Sequence, residues 1–438
     1  MNLVYNIKDK PKFGQTILFA LQQLLAIMAA TIAVPSIIGN GMSQTAALFG
    51  AGVGTLVYLL FTKFRSPVFL GSSFAFLGSM FAAFAGGVSM QLGYLGLILG
   101  ACFAGLVYVV LAIIVKVSGV KWIDKLMPAV VIGPTVAIIG LSLAGNAVGD
   151  LMGSSVSASP YVCIVCGLVT LAVTMLCSVY GKKMLKMIPF VIGILAGYAV
   201  AACFTLIGNA TGNEALKVIN FSLFQNIQWY PDFTFLKAVQ GFGELTPGYL
   251  ATIAVAYVPV AFVVFAEHIA DHKNLSTIIG TDLTKDPGLH RTLLGDGIGS
   301  FAGAIFGGCP NTTYGESIGC VAISGNASVV TILATAILAI VISFVGPFAT
   351  FLATIPGCVM GGVCIALYGF IAVSGLKMIQ NVDLNNNRNL FVVSVILIAG
   401  VGGLSVSFGN VTLTEVACAL ILGILTNWIL GGMKKSAK

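Results

Sequence analysis

Two carboxylates, Glu267 and Glu316, stand in stretches of the chain that are otherwise almost wholly apolar. Glu267 interrupts the apolar run from Leu250 to Ala266, and Glu316 follows the polar, helix-breaking stretch Pro310-Asn311-Thr312-Thr313-Tyr314-Gly315. The 60 residues after Glu316 carry no charge until Lys377. A charged side chain inside a bilayer costs roughly 2.5–3.5 kcal/mol on insertion scales unless it gains a partner or a cavity. A broken, polar backbone at that depth is tolerated only where it lines a cavity. The pair therefore predicts a small polar pocket within a membrane. Its chemistry is hydrogen-bond recognition of a small polar molecule together with reversible protonation.

The donors that complement these acceptors come from two interruptions. One begins Pro67-Val68-Phe69-Leu70-Gly71-Ser72-Ser73-Phe74 and the other Pro310-Asn311-Thr312-Thr313-Tyr314-Gly315-Glu316. Proline removes a backbone N–H and glycine admits unusual backbone angles. The half-helices that follow begin with unpaired N–H groups. Two such ends meeting at mid-membrane place donors near Phe74 and Ala75 and near Gly315, flanked by Ser73 and Tyr314. A matching ligand carries both carbonyl and N–H groups on a small flat frame, as a pyrimidine does.

The elements that must hold these groups are membrane spans. The chain has 438 residues, of which 58% are hydrophobic and 8% charged, against about 25% charged in a soluble domain. Residues 13–62 and 66–115 contain no Asp, Glu, Lys or Arg, and each stretch accommodates two spans of about 20 residues. The apolar run after Lys8, Lys10 and Lys12 is too long for a cleavable signal peptide and leads directly into further spans. We read an all-α integral membrane protein of about 14 spans, near 14–36, 44–62, 67–83, 92–115, 127–147, 160–180, 188–208, 248–271, 288–307, 313–325, 328–347, 350–375, 389–407 and 413–432. The third and tenth are short and broken. With the N-terminus in the cytoplasm, 19 of the 21 basic residues fall inside and only Lys217 and Lys237 outside, which is the positive-inside pattern. The C-terminus is then cytoplasmic too. The net charge of +7 follows from orientation in a cell membrane and requires no nucleic-acid partner. Cys163 and Cys166 form a C-x-x-C within a predicted span and read as small apolar filler. No disulfide, metal or other cofactor is expected.

Seven spans precede the loop 209–247 and seven follow it. An odd number per half turns the halves into inverted repeats, and each broken span is third in its half. Interrupted segments at corresponding positions of inverted repeats mark a transport site.

With these residues in view the chain resembles the uracil permeases of the nucleobase–ascorbate transporter family over essentially its whole length. The resemblance is sharpest in Gly71-Ser72-Ser73-Phe74-Ala75-Phe76, Ala266-Glu267-His268-Ile269, Asp286-Pro287-Gly288-Leu289-His290-Arg291 and Pro310-Asn311-Thr312-Thr313-Tyr314-Gly315-Glu316. It implies a core domain from residues 1–126 and 248–348, a gate domain from 127–209 and 349–438, and an extracellular linker at 210–247. It further implies a homodimer in the lipid bilayer that imports uracil with protons. In that family the carboxylates matching Glu267 and Glu316 hydrogen-bond the base, and the backbone amides matching Phe74 and Gly315 meet its carbonyls.

The sequence departs from the family at several positions. One member has a histidine four residues after the first glutamate, where Asp271 stands here and His272 follows. Residue i+4 shares a helix face with Glu267, while i+5 turns about 100° further. Asp271, not His272, is therefore expected beside Glu267. Ser317 replaces a usual asparagine and Ser324 a usual threonine, and Gly319 is kept. Gln23 stands where some relatives have histidine. The proton-coupling candidates are Glu267, Asp271, His268 and Asp296, the last lying between Gly295 and Gly297 in the ninth span. His272 and His290 read as cytoplasmic loop or helix-end residues, and Glu415 as interfacial. Alternatives are a purine permease, disfavoured because such relatives tend to carry glutamine at the Glu316 position, and a channel or anion exchanger of the same fold. The latter would want a basic residue near the half-helix ends, and the third and tenth spans contain none. No nucleophile–base pair or metal constellation points to an enzyme.

Overall fold

The two proline–glycine interruptions become two short strands that pair with each other. The computed structural model describes residues 3–436 except 120, 121, 123–127, 154–157, 183, 226, 409 and 410. Strand β1 (Leu70–Ser72) lies antiparallel to β2 (Asn311–Thr313), with Leu70 opposite Thr313, Gly71 opposite Thr312 and Ser72 opposite Asn311. Ser73 N extends the ladder by donating to Pro310 O at 2.9 Å. An open strand edge is intolerable in hydrocarbon because its N–H and C=O groups find no water. Here each strand supplies the other's partners. Side chains complete the pairing: Leu70 N donates to Thr55 Oγ1 at 2.9 Å, and Asn311 Nδ2 donates to Gly50 O at 3.0 Å.

Helices surround this pair. Before the first break lie α1 (Phe13–Ile38) and α2 (Gln44–Phe61), and after it α3 (Leu77–Ala83) and α4 (Met90–Ser118). Then come α5 (Ala129–Ser142), α6 (Ala144–Leu151), α7 (Pro160–Tyr180) and α8 (Pro189–Thr211). After the long loop, α9 (Pro247–Ile279) and α10 (Leu289–Gly307) lead to the second break, and α11 (Gly315–Ser324) and α12 (Val329–Ile342) follow it. The chain closes with α13 (Gly346–Thr354), α14 (Gly357–Met378), α15 (Asn387–Val401), the hairpin β3–β4 (Val406–Phe408, Val411–Leu413) and α16 (Glu415–Ser436).

The packing falls into two sets. In the first, α2 packs on α10 and α12, α4 on α10 and α9, α1 on α11 and α12, and α3 on α9. In the second, α5 packs on α14, α15 and α16, α7 on α8 and α14, and α15 on α16. The first set owes its tightness to glycine. A Cβ on Gly50 would stand 2.3 Å from Gly303 O, and one on Gly54 2.7 Å from Gly299 O. Facing glycines thus bring the α2 and α10 backbones into contact, the small-residue packing typical of spans in lipid.

Among the described residues, eight helices are long and apolar enough to cross a membrane, or nine if α12 and α13, bent by 83°, count as one span. Several expected spans change shape. The eighth runs to Ile279 rather than 271, because residues 272–279 contain no proline or glycine and Gly280 caps the helix at φ +69. The expected twelfth span, 350–375, is divided: Ile355 and Pro356 are extended and separate α13 from α14. The expected domain boundary at 348 falls within α13, and that at 126 lies outside the described residues, as do Lys121, Lys125, Lys183 and Lys438 of the inside-charge pattern.

Candidate functional site

The two half-helix starts face one small cavity. It is lined by Ser73, Phe74, Ala75, Thr312, Thr313, Tyr314, Gly315 and Glu316 from the breaks, by Glu267 from α9, and by Ile139 and Ile371 from α5 and α14. Its volume is ≈ 50 Å³. The strand pair sets its floor. Tyr314 Oη donates to Ser72 O at 2.7 Å, and its ring fills the space over Gly71, where a Cβ would meet it at 2.3 Å. Gly71 is glycine because the tyrosine ring needs that room.

The first turn of α11 is fixed by the residue after Glu316. Ser317 Oγ accepts from Gln23 Nε2 at 2.5 Å and from Phe69 N at 3.1 Å. One hydroxyl thus ties α1, the residue before β1 and the first turn of α11. Gln23 and Ser317, two of the departures noted in the sequence, are direct partners 294 residues apart.

The remaining polar groups form a second layer. Asp271 Oδ2 accepts from Thr313 Oγ1 at 2.7 Å, so Asp271 reaches the strand pair on the Glu267 side of α9, as helical spacing requires. The other side of α9 presents His268, which lies 2.6 Å from Asp296 Oδ2 through Nδ1 and 3.0 Å from Thr292 Oγ1 through Nε2. His268 and Asp296 are thus a buried pair outside the cavity lining. Asp296 Oδ1 and Tyr108 Oη have no hydrogen-bond partner among the described residues. Both residues line a separate ≈ 10 Å³ space with Ser300 and Thr312. Thr312 lines both spaces, so β2 is the wall between them. Among the described residues no group of three or more His, Cys, Asp or Glu is placed to hold a metal ion.

Residues 14–408 match a permease family, the xanthine/uracil permeases. The chain belongs to it. The permease is 40% identical to the uracil permease of Bacillus caldolyticus, over 99% of this chain and 96% of that one. It is 36% identical to the uracil permease of Escherichia coli K12, over 95% and 92%, and 33% identical to the putative pyrimidine permease RutG of the same strain, over 96% and 91%. These relatives fit the resemblance to uracil permeases of the nucleobase–ascorbate transporter family, and they are transporters, not enzymes. Two solved structures share the fold. The transmembrane domain of a cyanobacterial bicarbonate transporter, BicA, matches with TM-score 0.67 at 17% identity, over 95% of this chain and 99% of that one. The murine anion transporter Slc26a9 matches with TM-score 0.65 at 13% identity, over 98% and 69%.

Against the sequence reading, the permease brings Glu267, Glu316, Gly315, Phe74, Ser73, Ala75 and Tyr314 to one cavity and holds Asp271 one hydrogen bond behind it. His272 is not a helix-end or loop residue. It is fully buried, stacks on His268 with centroids 4.0 Å apart, and lies 2.7 Å from Tyr58 Oη. The extra turns of α9 beyond 271 keep it in the helix interior. Glu415 lies beside the first break, lining a small space with Phe74, Ala75 and Gly78. Ile139, Ile371 and Tyr368, whose ring meets Phe74 edge-on at 5.8 Å, were not foreseen. Apolar and aromatic residues inside apolar spans carry no distinguishing signal.

Proposed function

We propose that this permease imports uracil across the cell membrane by proton symport. The observation that carries the reading is the single cavity in which two carboxylates face two half-helix N-termini. Uracil offers two N–H donors and two carbonyl acceptors on one flat ring. Glu267 and Glu316 take the N–H groups, and the amides at Phe74 and Gly315 meet the carbonyls. The similarity to uracil permeases supports the same substrate.

Fourteen spans in two inverted seven-span repeats form the frame of this reading. Its support is reciprocal packing: α4 on α10 corresponds to α12 on α2, and α1 on α12 corresponds to α9 on α4. The first packing set acts as the core and carries Glu267, Glu316 and both breaks. The second acts as the gate and contributes Ile139 and Ile371. The cavity lies between them, so relative movement opens it to one side or the other. The termini are cytoplasmic, and the functional unit is a homodimer.

Glu267 takes a proton from outside. Protonation removes a charge from an apolar setting and supplies a donor, so base binding and core movement are both favoured. Asp271 is the neighbouring acceptor on the same helix face. Asp296, with one carboxylate oxygen unpartnered among the described residues, and its partner His268 form a second proton-exchanging pair behind β2.

Uptake of labelled uracil into proteoliposomes, with and without an inward proton gradient and against excess xanthine, tests substrate and coupling together. Uracil accumulates only with the gradient and xanthine does not compete. Glu267→Gln retains base affinity but loses response to the gradient; uphill uptake equal to the parent protein would disprove the coupling role. Accumulation of xanthine instead of uracil would make the pocket a purine site.

A further inference from the structure

The N-terminal residues have no part in the reading above. Residues 4–9 cross the link between α11 and α12, bridging at Tyr5 and then turning at Ile7–Lys8, where Asp9 N donates to Asn6 O at 3.1 Å. Val4 N and Tyr5 N both donate to Gly325 O, at 2.8 and 3.2 Å. Ala327 N donates to Tyr5 O at 2.9 Å, Val329 N to Ile7 O at 3.1 Å, and Ser328 Oγ to Asp9 O at 2.7 Å. Tyr5 and Asn326 form a parallel bridge.

These bonds fall on groups that helices leave without partners. Gly325, at φ +66, ends α11, and Val329 is the first residue of α12, whose N–H has no acceptor within the helix. The segment is itself anchored on α1: Tyr5 Oη donates to Gln15 Oε1 at 2.8 Å, and the Tyr5 ring meets Phe19 edge-on at 6.1 Å. Helix α1 also holds the opposite end of α11 through Gln23 and Ser317. Ten residues is too short a helix to be stable alone. α11 is therefore a short rod clamped at both ends to one long helix, directly by Gln23 and indirectly by residues 4–9.

We propose that residues 4–9 are a positioning segment for the substrate site. By clamping the C-terminal end of α11 they hold Gly315 and Glu316, at its other end, in register with Phe74. The effect on affinity rests on the reading of Gly315 and Glu316 as uracil contacts; the clamp on α11 does not.

Tyr5→Pro removes the N–H given to Gly325 O and constrains the preceding residue. The double variant Val4→Thr with Ile7→Val changes side chains and leaves every backbone bond. The readouts are KM and kcat for labelled uracil in proteoliposomes, and amide hydrogen exchange of purified protein. Tyr5→Pro raises KM about tenfold with kcat within about twofold, the pattern of lost binding rather than lost turnover. It speeds exchange throughout residues 315–324 and leaves residues 77–83 unchanged. The double variant matches the parent on both readouts. Should Tyr5→Pro not reach the membrane, Tyr5→Phe with Ser328→Ala trims two side-chain bonds and gives the same changes at smaller size. Faster exchange confined to residues 325–329 with unchanged KM would reduce the segment to a local cap and overturn the proposal, as would no change in either readout. If the parent protein takes up no uracil, the substrate reading falls, and exchange in α11 alone decides the clamp.

Discussion

The two broken spans share a plan and differ in what they bring to the cavity. Each is a proline, a short strand and a half-helix, and the strands pair with each other. The first break enters its half-helix through a single 3-10 turn, Phe74–Phe76, and brings the cavity Ser73, backbone donors and apolar surface but no charged group. The second starts at once as α-helix and carries a carboxylate in its first turn. Their far ends differ as well. The last residue of α3 is held by one side chain, Tyr249 Oη, which lies 2.7 Å from Ala83 O. α11 is held by a segment of backbone from the N-terminus. The half-helix that bears charge is the more heavily braced. A carboxylate that must meet a ligand in a low-dielectric site needs its geometry fixed beforehand, whereas a backbone amide is placed by the helix itself.

The largest test of this asymmetry is Glu316→Ala against Phe74→Ala. Loss of a charged hydrogen-bond partner is worth about 1.5–3 kcal/mol, so Glu316→Ala lowers kcat/KM for uracil by roughly 10- to 100-fold. Phe74→Ala keeps its amide and loses less. Equal losses in labelled uptake would erase the distinction between the two breaks. Next come the glycines. Gly71→Ala drives a methyl into the Tyr314 ring, an overpacking that costs about 1–3 kcal/mol and lowers the melting temperature of purified protein. A Cβ at Gly315 meets nothing within 4 Å, so Gly315→Ala leaves stability unchanged and reduces uracil affinity instead. A third pair compares serines. Ser317→Ala strands the buried Phe69 N and costs about 1–3 kcal/mol. Ser72→Ala removes a hydroxyl that neighbours the Cys309 thiol and makes no geometric hydrogen bond among the described residues, and its melting temperature stays near the parent value. Smallest is Tyr249→Phe, which removes the bond to Ala83 O at a cost of about 1 kcal/mol. It speeds hydrogen exchange near the end of α3 and leaves α11 untouched.

Much of this site was legible because its residues break local rules. Pro67, Gly71, Pro310 and Gly315 are conspicuous in apolar spans, and Glu267 and Glu316 are conspicuous among uncharged neighbours. Helical spacing alone chose Asp271 over His272 as the residue on the Glu267 side. What stayed hidden depends on distant parts of the chain. Nothing local pairs Gln23 with Ser317, and nothing in the span pattern draws residues 4–9 to Gly325. The burial of His272 required knowing that α9 continues to Ile279. Ile139 and Ile371 are unremarkable as sequence and acquire a role only because the second packing set closes the cavity.

The strand pair has a consequence for how the protein is made. Tyr314 and the Ser72 carbonyl it grips are 242 residues apart. While a ribosome is still synthesising the second half, β1 sits in or near the membrane with its N–H and C=O groups unmatched. The nascent first half must therefore be shielded, by lipid headgroups, water or the insertion machinery, until Asn311–Thr313 emerges. Chain halves expressed separately should then be poor substrates for insertion and ready targets for quality-control proteases, even though most of their helices are apolar enough to enter the bilayer.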